Sequence, residues 1–321
     1  MIIHHSSFIV HHFALLLAVL LLLSPASAQP TSTAPYVLVL GVAQDGGVPQ
    51  AGNYGHPGWL DPTERRLVVS VAVVDPVSRQ RWLFEATPDF RLQLYRLDGA
   101  APRAESANIL DGIFLTHAHI GHYTGLMFLG HESMGATNVP VYAMPRMSEY
   151  LASNGPWDQL VRYGNIELRA LADDVPVRLN ERISVTPFLV PHRQEYSEVV
   201  GFRIDGPDRS ALFIPDIDSW MAFDDAGTRI EDLIASVDVA WLDATFFANG
   251  EIPGRDMSGF PHPFITTSMD RFSRLEPGVR SRIRFIHLNH TNPALRNESD
   301  ARAEIDRRGF AVAEEDEMFE L

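Results

Sequence analysis

The chain contains no cysteine, and it has no lysine, so that its 26 basic residues are all arginine. The absence of cysteine excludes disulfides, thiolate nucleophiles and cysteine-ligated zinc. Positive charge is scarce, since 41 Asp and Glu residues bring the net charge to −15. Nucleic acid is therefore not the expected partner, because phosphate binding needs a positive surface. We expect a small-molecule substrate; the composition leaves the oligomeric state open.

The sequence also lacks an apolar run long enough to span a bilayer. Residues 13–23 are continuously apolar, but such a segment is too short for a free-standing transmembrane helix. SPASA follows, and Ala26-Ser27-Ala28 has the small-residue pattern of a signal-peptidase site, although the preceding segment carries histidines and no Lys or Arg. We predict a signal peptide over residues 1–28, a periplasmic or secreted protein, and no stable membrane anchor after cleavage.

After Pro35 the sequence has neither an internal repeat nor a long linker, so we expect residues 36–321 to form one domain. Runs of branched apolar residues predict strands at 36–43, 66–74, 81–87, 111–117, 139–145, 183–191, 199–205, 210–216, 237–246 and 282–290. Helical patterns occupy 146–153, 228–237, 266–275 and 299–309. Two mixed sheets packed face to face, with helices outside, would use all these elements.

Three histidines crowd into the stretch LTHAHIGH, residues 115–122. His117 and His119 are two residues apart, so they point the same way at the end of a strand. His122 follows as the chain turns into a helical pattern. The alternative is a chance group of surface histidines. Because neutral imidazole is the commonest metal ligand, the spacing indicates a metal site.

Further potential ligands each come at the end of a predicted strand. His192 follows FLVP, Asp216 follows LFIP, and His290 closes the run RIRFIHLNH. Open α/β architectures gather ligands from distant parts of the sequence at one edge of a sheet. These residues therefore extend the candidate metal site.

This order of residues, HxHxxH and then His, Asp and His, resembles the metallo-β-lactamase superfamily over residues 36–321. The resemblance implies an α+β fold, a four-layer αββα sandwich with a metal site between the edges of its sheets. It implies these ligands: His117, His119 and His192 for a first ion, His122 and His290 for a second, and Asp216 as the bridge. Asp218 is a close competitor of Asp216. His287 competes less well with His290, because the family's last histidine follows the strand.

Two groups within the superfamily are particularly similar. LGVAQDGGVPQAG (40–52) and FIHLNHTNP (285–293) resemble the first loop and the C-terminal strand of the PqqB group, pyrroloquinoline quinone biosynthesis protein B, although Asn53 stands where that group would have a cysteine. DATF (243–246) and the later His262 resemble RNase Z and related phosphodiesterases. The second resemblance implies that Asp243 orients His262, which assists the leaving group.

One position departs from the superfamily pattern. The HxHxDH motif has an aspartate where this chain has Gly121, and that carboxylate is a ligand of the second ion. Its loss predicts one dependable first site and a weak or empty second site. Gly121 could instead make room for a larger substrate, or for a ligand from elsewhere. Asp45 and Asp218 are the nearest candidates for such a ligand.

A divalent ion held by His117, His119, His192 and Asp216 would keep a position open for water, whose pKa it can lower from about 15.7 to about 7. The resulting hydroxide predicts a hydrolase of an ester, lactone or phosphodiester bond, in which Asp216 orients the water and His262 protonates the departing oxygen. Ligands without thiolate favour zinc, and iron or manganese would also fit.

Two alternatives stay open. The first is a PqqB-like, iron-dependent oxidative enzyme or quinone-related binding protein, which export weakens because that pathway's peptide chemistry is cytoplasmic. The second is a degenerate member of the superfamily that binds a small molecule without catalysis. The absent aspartate favours the second, whereas the retention of the matched histidines opposes it, since fold alone does not determine function.

Overall fold

A computed structural model describes residues 32–103 and 108–321. Thr33–Leu321 belong to one compact unit, within which every element below lies. The predicted signal peptide, residues 1–28, lies outside the described residues, so its cleavage stays a prediction. Within the described part of the chain, no helix is both long and apolar enough to cross a membrane.

The described residues contain strands β1 (Tyr36–Gly41), β2 (Ser70–Asp75), β3 (Gln80–Phe84), β4 (Gly112–Phe114), β5 (Val139–Ala143), β6 (Ile166–Ala170), β7 (Val177–Arg178), β8 (Ser184–Leu189), β9 (Val200–Asp205), β10 (Ser210–Ile214), β11 (Val239–Asp243), β12 (Ile283–Ile286), β13 (Ala311–Val312) and β14 (Met318–Glu320). The helices are α1 (Phe90–Ala100), α2 (Ile120–Tyr123), α3 (Pro145–Ser153), α4 (Trp157–Arg162), α5 (Trp220–Asp225), α6 (Ile230–Ala235), α7 (Ile265–Phe272), α8 (Pro277–Arg280) and α9 (Asp300–Arg307). Short 3-10 turns occupy Pro57–Trp59, Pro62–Glu64, Thr124–Leu129 and Pro293–Leu295.

The strands form two seven-stranded sheets, in the orders β14-β1-β2-β3-β4-β5-β6 and β13-β12-β11-β10-β9-β8-β7. In the first sheet, β14 to β3 pair antiparallel and β3 to β6 pair parallel. The second repeats this plan, with β7 to β10 antiparallel and β10 to β13 parallel. Both sheets are mixed, as predicted.

Alternation along β1 shows how the first sheet separates two cores. Val37 and Val39 join a cluster that includes Phe202 and Phe213 of the second sheet, whereas Leu38 joins a cluster with residues of α1 and α3. Successive strand residues point to opposite faces, so one face of the first sheet meets the second sheet and the other meets helices. Buried residues of α5, α6, α7 and α9 pack with the second sheet. The predicted αββα sandwich is confirmed.

Each of the ten predicted strands overlaps an observed strand, and the four predicted helices correspond to α3, α6, α7 and α9. The sequence analysis missed α1, in a region that it assigned mainly to strands. Phe90, Leu94 and Leu97 are the buried residues of its apolar face, together with Gln93. The predicted strand at 282–290 is too long: β12 ends at Ile286. This difference decides which C-terminal histidine reaches the site.

Candidate metal centre

The potential ligands lie where strands of both sheets end, at one edge of the sandwich. His117 follows β4, His192 follows β8, Asp216 follows β10 and His287 directly follows β12. His119 precedes α2, and His122 lies inside that short helix. The sheet ends therefore bring together residues that are far apart in sequence, as the strand-end argument predicted.

The first group consists of His117, His119 and His192, whose ligand nitrogens all lie within 4.8 Å of one another. The His117 Nε2–His119 Nδ1 distance is 2.8 Å, and the His192 Nε2–His119 Nδ1 distance is 3.3 Å. Nitrogens bound tetrahedrally to one zinc ion at about 2.0 Å are separated by about 3.3 Å. The three imidazoles therefore have the spacing of ligands to a single cation. We call this group, together with Asp216, site 1.

Asp216 lies between this group and a second one. Its Oδ1 is 3.7 Å from His192 Nε2, while its Oδ2 is 3.1 Å from His122 Nε2 and 3.4 Å from His287 Nε2. Each carboxylate oxygen thus faces a different group, as a bridging ligand requires. Asp218 instead meets the outer nitrogen of His192, with 2.9 Å between Oδ1 and Nδ1. The geometry therefore favours Asp216 over Asp218 as the ligand.

The second group combines Asp45, His122 and His287. Asp45 Oδ1 lies 3.1 Å from His122 Nε2 and 3.9 Å from His287 Nε2. We call these three residues, together with Asp216, site 2. His122 was predicted here, whereas Asp45 was only one of two candidates for an additional ligand.

His290 belongs to neither group among the described residues. Its Nδ1 lies 3.4 Å from Asn53 Nδ2, and the residue is partly exposed. The resemblance placed the last histidine after the strand, and because β12 ends at Ile286, that residue is His287 rather than His290. We therefore replace His290 with His287 in the proposed ligand set.

Outer partners hold the inward-facing rings. Thr116 Oγ1 is 2.8 Å from His117 Nδ1, and Thr245 Oγ1 is 2.9 Å from His287 Nδ1. His119 is reversed: its Nδ1 faces inward, and its Nε2 lies 3.1 Å from Glu195. Such contacts fix which nitrogen of a ligating histidine faces the metal. The sequence analysis did not find these partners, since a threonine or glutamate carries no metal-ligand spacing of its own.

Glu85 has a similar position behind His122. It is fully buried at the end of β3, with a backbone φ of 73°, and its Oε1 lies 3.5 Å from His122 Nδ1. Positive φ is uncommon for a non-glycine residue and occurs where surrounding structure enforces it. The carboxyl group is therefore placed beside the outer nitrogen of His122, and burial raises the pKa of Glu85.

The electrostatics of the cluster suit a cation. Burial lowers the pKa of His117 well below its usual value, so that this ring is neutral, as a metal ligand must be. Burial opposes protonation of His122 as well, but Asp216 and Glu85 outweigh it and raise the pKa of His122 well above its usual value. The carboxylates thus create a field in which positive charge is stabilised.

A test of fit to a metal ion comes from buried polar atoms without hydrogen-bond partners. Within the described part of the chain, they include Oδ1 of Asp45, Oδ2 of Asp216, and Nε2 of His122 and of His287. Leaving a buried polar group unpaired costs about 1–3 kcal/mol. These atoms converge on one point, and a bound cation would remove the cost for all of them.

The predicted pair Asp243 and His262 lies beside both sites. Asp243 Oδ2 is 2.7 Å from His262 Nδ1, and this carboxylate also accepts hydrogen bonds from Ile217 N and Thr245 Oγ1. His262 Nδ1 is 3.7 Å from Asp216 Oδ1. Burial opposes protonation of this ring, but Asp243 raises the pKa of His262 to about 9. The structure thus places His262, whose pKa favours the protonated form at neutral pH, next to the shared carboxylate.

A family model described as beta-lactamase superfamily domain matches residues 80–287, from β3 to the last residue of site 2. The coenzyme PQQ synthesis protein B of Ruegeria pomeroyi is 27% identical over 300 residues, which cover 86% of this chain and 97% of that relative.

Solved structures give the same likeness of fold. The crystal structure of zinc-bound PqqB from Methylobacterium extorquens has a TM-score of 0.73 and 24% identity, and covers 89% of this chain and 100% of that one. A diphosphatase from the PhnP family has a TM-score of 0.62 and 23% identity, covering 89% and 97%. At these identities the two structures support the fold, and the chemistry must be argued from the site.

Proposed function

The chain belongs to the beta-lactamase superfamily, and on that premise we propose that it is an exported, metal-dependent hydrolase of an ester, lactone or phosphodiester bond. One observation carries the proposal. A bridging carboxylate, Asp216, has ligand groups on either side and the Asp243–His262 pair next to it. This arrangement combines a place for a divalent ion with a separate proton donor, the two components that such hydrolysis needs.

The donor atoms favour zinc. Site 1 offers three imidazole nitrogens and a carboxylate oxygen without thiolate, which suits zinc first and also iron or manganese. The zinc in the PqqB structure of similar fold supports the same choice. A divalent ion held there would supply Lewis acidity and lower the pKa of water to about 7.

The chain's own residues would then position the reactants and move a proton. Asp216 would hold the attacking water in place through the oxygen that faces site 1. His262 would donate a proton to the departing oxygen, while its bond to Asp243 fixes the ring. Since Nδ1 is engaged by Asp243, Nε2 is the nitrogen proposed to face the leaving group.

Location and partners extend the proposal. Because residues 1–28 have the pattern of a signal peptide, we propose a periplasmic or secreted enzyme without a stable membrane anchor. The net charge of −15 opposes binding to nucleic acid, so the proposed substrate is a small molecule. N-terminal sequencing of exported protein checks the first point: a chain that begins at Gln29 supports it, and an intact Met1 contradicts it.

A second candidate function rests on the relatives named coenzyme PQQ synthesis protein B. This function would be an iron-dependent oxidative step, or quinone binding, in the formation of coenzyme PQQ. The proposed export opposes this role, whereas the alignment over 86% of the chain favours it. Bound iron with substrate-dependent oxygen uptake would support this function over hydrolysis.

The test combines metal analysis of the purified protein with a panel of ester, lactone and phosphodiester substrates. Bound zinc with turnover of one class supports the hydrolase, and metal without turnover of any class contradicts it. The variant His117→Ala should lose the ion of site 1 and all turnover. Unchanged metal content in this variant would show that the ligand assignment is wrong.

A further inference from the structure

We propose that Asp45, in the loop after β1, supplies the carboxylate that Gly121 cannot, so that Asp45, His122, His287 and Asp216 hold a second divalent cation. The inference rests on the proposed function only in assuming that site 1 holds a metal ion. It differs from the expectation of a weak or empty second site. In this chain the carboxylate ligand comes from position 45 instead of position 121.

Asp45 leaves no room for a side chain at position 121. A Cβ atom added at Gly121 would lie 2.6 Å from Cα and 2.8 Å from Cγ of Asp45, and closer still to its Oδ1. Real Cβ atoms essentially never approach another atom within 3.0 Å. The backbone and side chain of Asp45 therefore occupy the volume where a side chain at position 121 would begin. A carboxylate can come from one of these two positions, and not from both.

The backbone conformation of Gly121 does not require glycine. This residue lies inside α2, where right-handed helical geometry suits any L-residue. Glycine there has no conformational advantage, and inside a helix it is destabilising by roughly 0.5–1 kcal/mol relative to Ala. What glycine provides is the absence of a side chain, which is the property that the approach of Asp45 requires.

The carboxylate of Asp45 points toward the histidines of site 2. Its Oδ1 approaches Nε2 of His122 and Nε2 of His287, and all three atoms are buried without hydrogen-bond partners in the described structure. Oδ2 of Asp216 is likewise buried without a hydrogen-bond partner. A carboxylate that served only to pack the loop would not need its oxygen to converge with these donors.

The loop that carries Asp45 is tied to both sheets. Gln44 N donates to Leu288 O at 2.9 Å, and Ala43 forms bridges with both Val68 and Leu288. Gly47, with a φ of 65°, donates to Gln44 O at 2.8 Å and closes the turn. Asp45 is therefore fixed relative to His287, one residue before Leu288, rather than carried on a free loop.

The other acidic neighbours do not fit this role. Asp218 meets His192 at its outer nitrogen, away from site 2. Glu85 lies beside Nδ1 of His122, whereas Asp45 and Asp216 lie beside Nε2 of that ring. Asp45 is thus the residue of the described chain that completes the site with His122, His287 and the shared Asp216.

The test is zinc stoichiometry and affinity, measured by mass spectrometry of bound metal and by titration with a competing chelator, on protein purified after export. The wild type should bind two equivalents. Asp45→Asn should lose the second equivalent, or bind it at least about tenfold more weakly. Loss of an outer contact to a ligand already weakens metal affinity by about 10 to 100-fold, and Asp45 is proposed as a ligand itself. The control Asp61→Asn removes an exposed carboxylate from the same β1–β2 segment and should keep two.

Gly121→Ala places a Cβ atom 2.6 Å from Cα of Asp45, so it should displace that residue and lose or weaken the second equivalent while the first is kept. A wild type with one equivalent, or Asp45→Asn with two at unchanged affinity, would overturn the inference. Two ions without turnover of any substrate would contradict the proposed hydrolase and leave the inference intact. Turnover by a wild type that binds one ion, with Asp45→Asn equally active, would contradict the inference and leave the proposed hydrolase intact.

Discussion

The two halves of the metal centre differ in how they are built, although they share Asp216. Site 1 takes imidazoles from the ends of β4 and β8, and its His119 keeps 17% of its side chain exposed. In site 2, His122 and His287 are completely buried, and carboxylates surround them. Asp45 of site 2, however, keeps 29% of its side chain exposed, so the two halves differ in their donor atoms, mainly imidazole in site 1 and more carboxylate in site 2, rather than in exposure.

The difference also concerns distance along the sequence. His117 and His119 are near neighbours, and their convergence needs only a strand that ends there. Site 2 depends on a contact between the β1–β2 loop and α2, which fills the volume left by Gly121. Both sites need tertiary contacts, since His192 and Asp216 come from distant strands, but site 2 depends in addition on the contact between the β1–β2 loop and α2.

The largest effect should follow from Asp216→Asn, since this residue belongs to both halves. We expect the loss of metal from both sites and a fall in kcat/KM of at least about 10³-fold, because Lewis acid and water-orienting ligand fail together. Metal analysis and kinetics on the most active substrate of the panel would measure this. Asp61→Asn, which changes an exposed carboxylate outside both groups, is the control and should keep both ions. Retention of both ions by Asp216→Asn would break the idea of a shared ligand.

An intermediate effect should follow from His262→Gln, which belongs to neither half. General acid catalysis contributes about 10² to 10⁴-fold, so kcat should fall by that factor for a substrate with a poor leaving group. A substrate whose leaving group needs no proton should react almost normally, and the metal content should not change. An equal loss for both substrates, or loss of an ion, would show that His262 has another role.

The smallest effects should separate the two halves. Thr116→Val removes the hydroxyl beside His117, and Thr245→Val removes the one beside His287. Loss of such a contact weakens metal affinity by about 10 to 100-fold. Chelator titration should show that the first variant weakens site 1 and the second weakens site 2. Equal weakening of both sites by either variant would mean that the halves are not independent.

The sequence was sufficient for much of the fold, because alternation and bounded apolar runs in residues such as 36–43 report directly on burial. It missed α1, although Phe90, Leu94 and Leu97 have helical spacing, because strands on both sides dominated the interpretation of that region. It also extended the strand before His287 too far. Leu288 is as fully buried as Ile286, so the apolar pattern continues past the end of β12 and does not mark it.

For the site, local spacing predicted the cluster at residues 117–122, and strand ends predicted His192 and Asp216. Glu85 could not be found in this way, since its role depends on a buried contact with His122. Asp45 could be named only as a candidate, since no spacing along the chain shows that its side chain reaches the empty volume at Gly121.

The central claim, that imidazoles from distant strand ends hold one cation, is tested most directly by anomalous scattering. Crystals grown with zinc would be measured on both sides of the zinc absorption edge. The account predicts a peak about 2.0–2.1 Å from nitrogens of His117, His119 and His192. A difference map with no peak within about 3 Å of these three rings would contradict it.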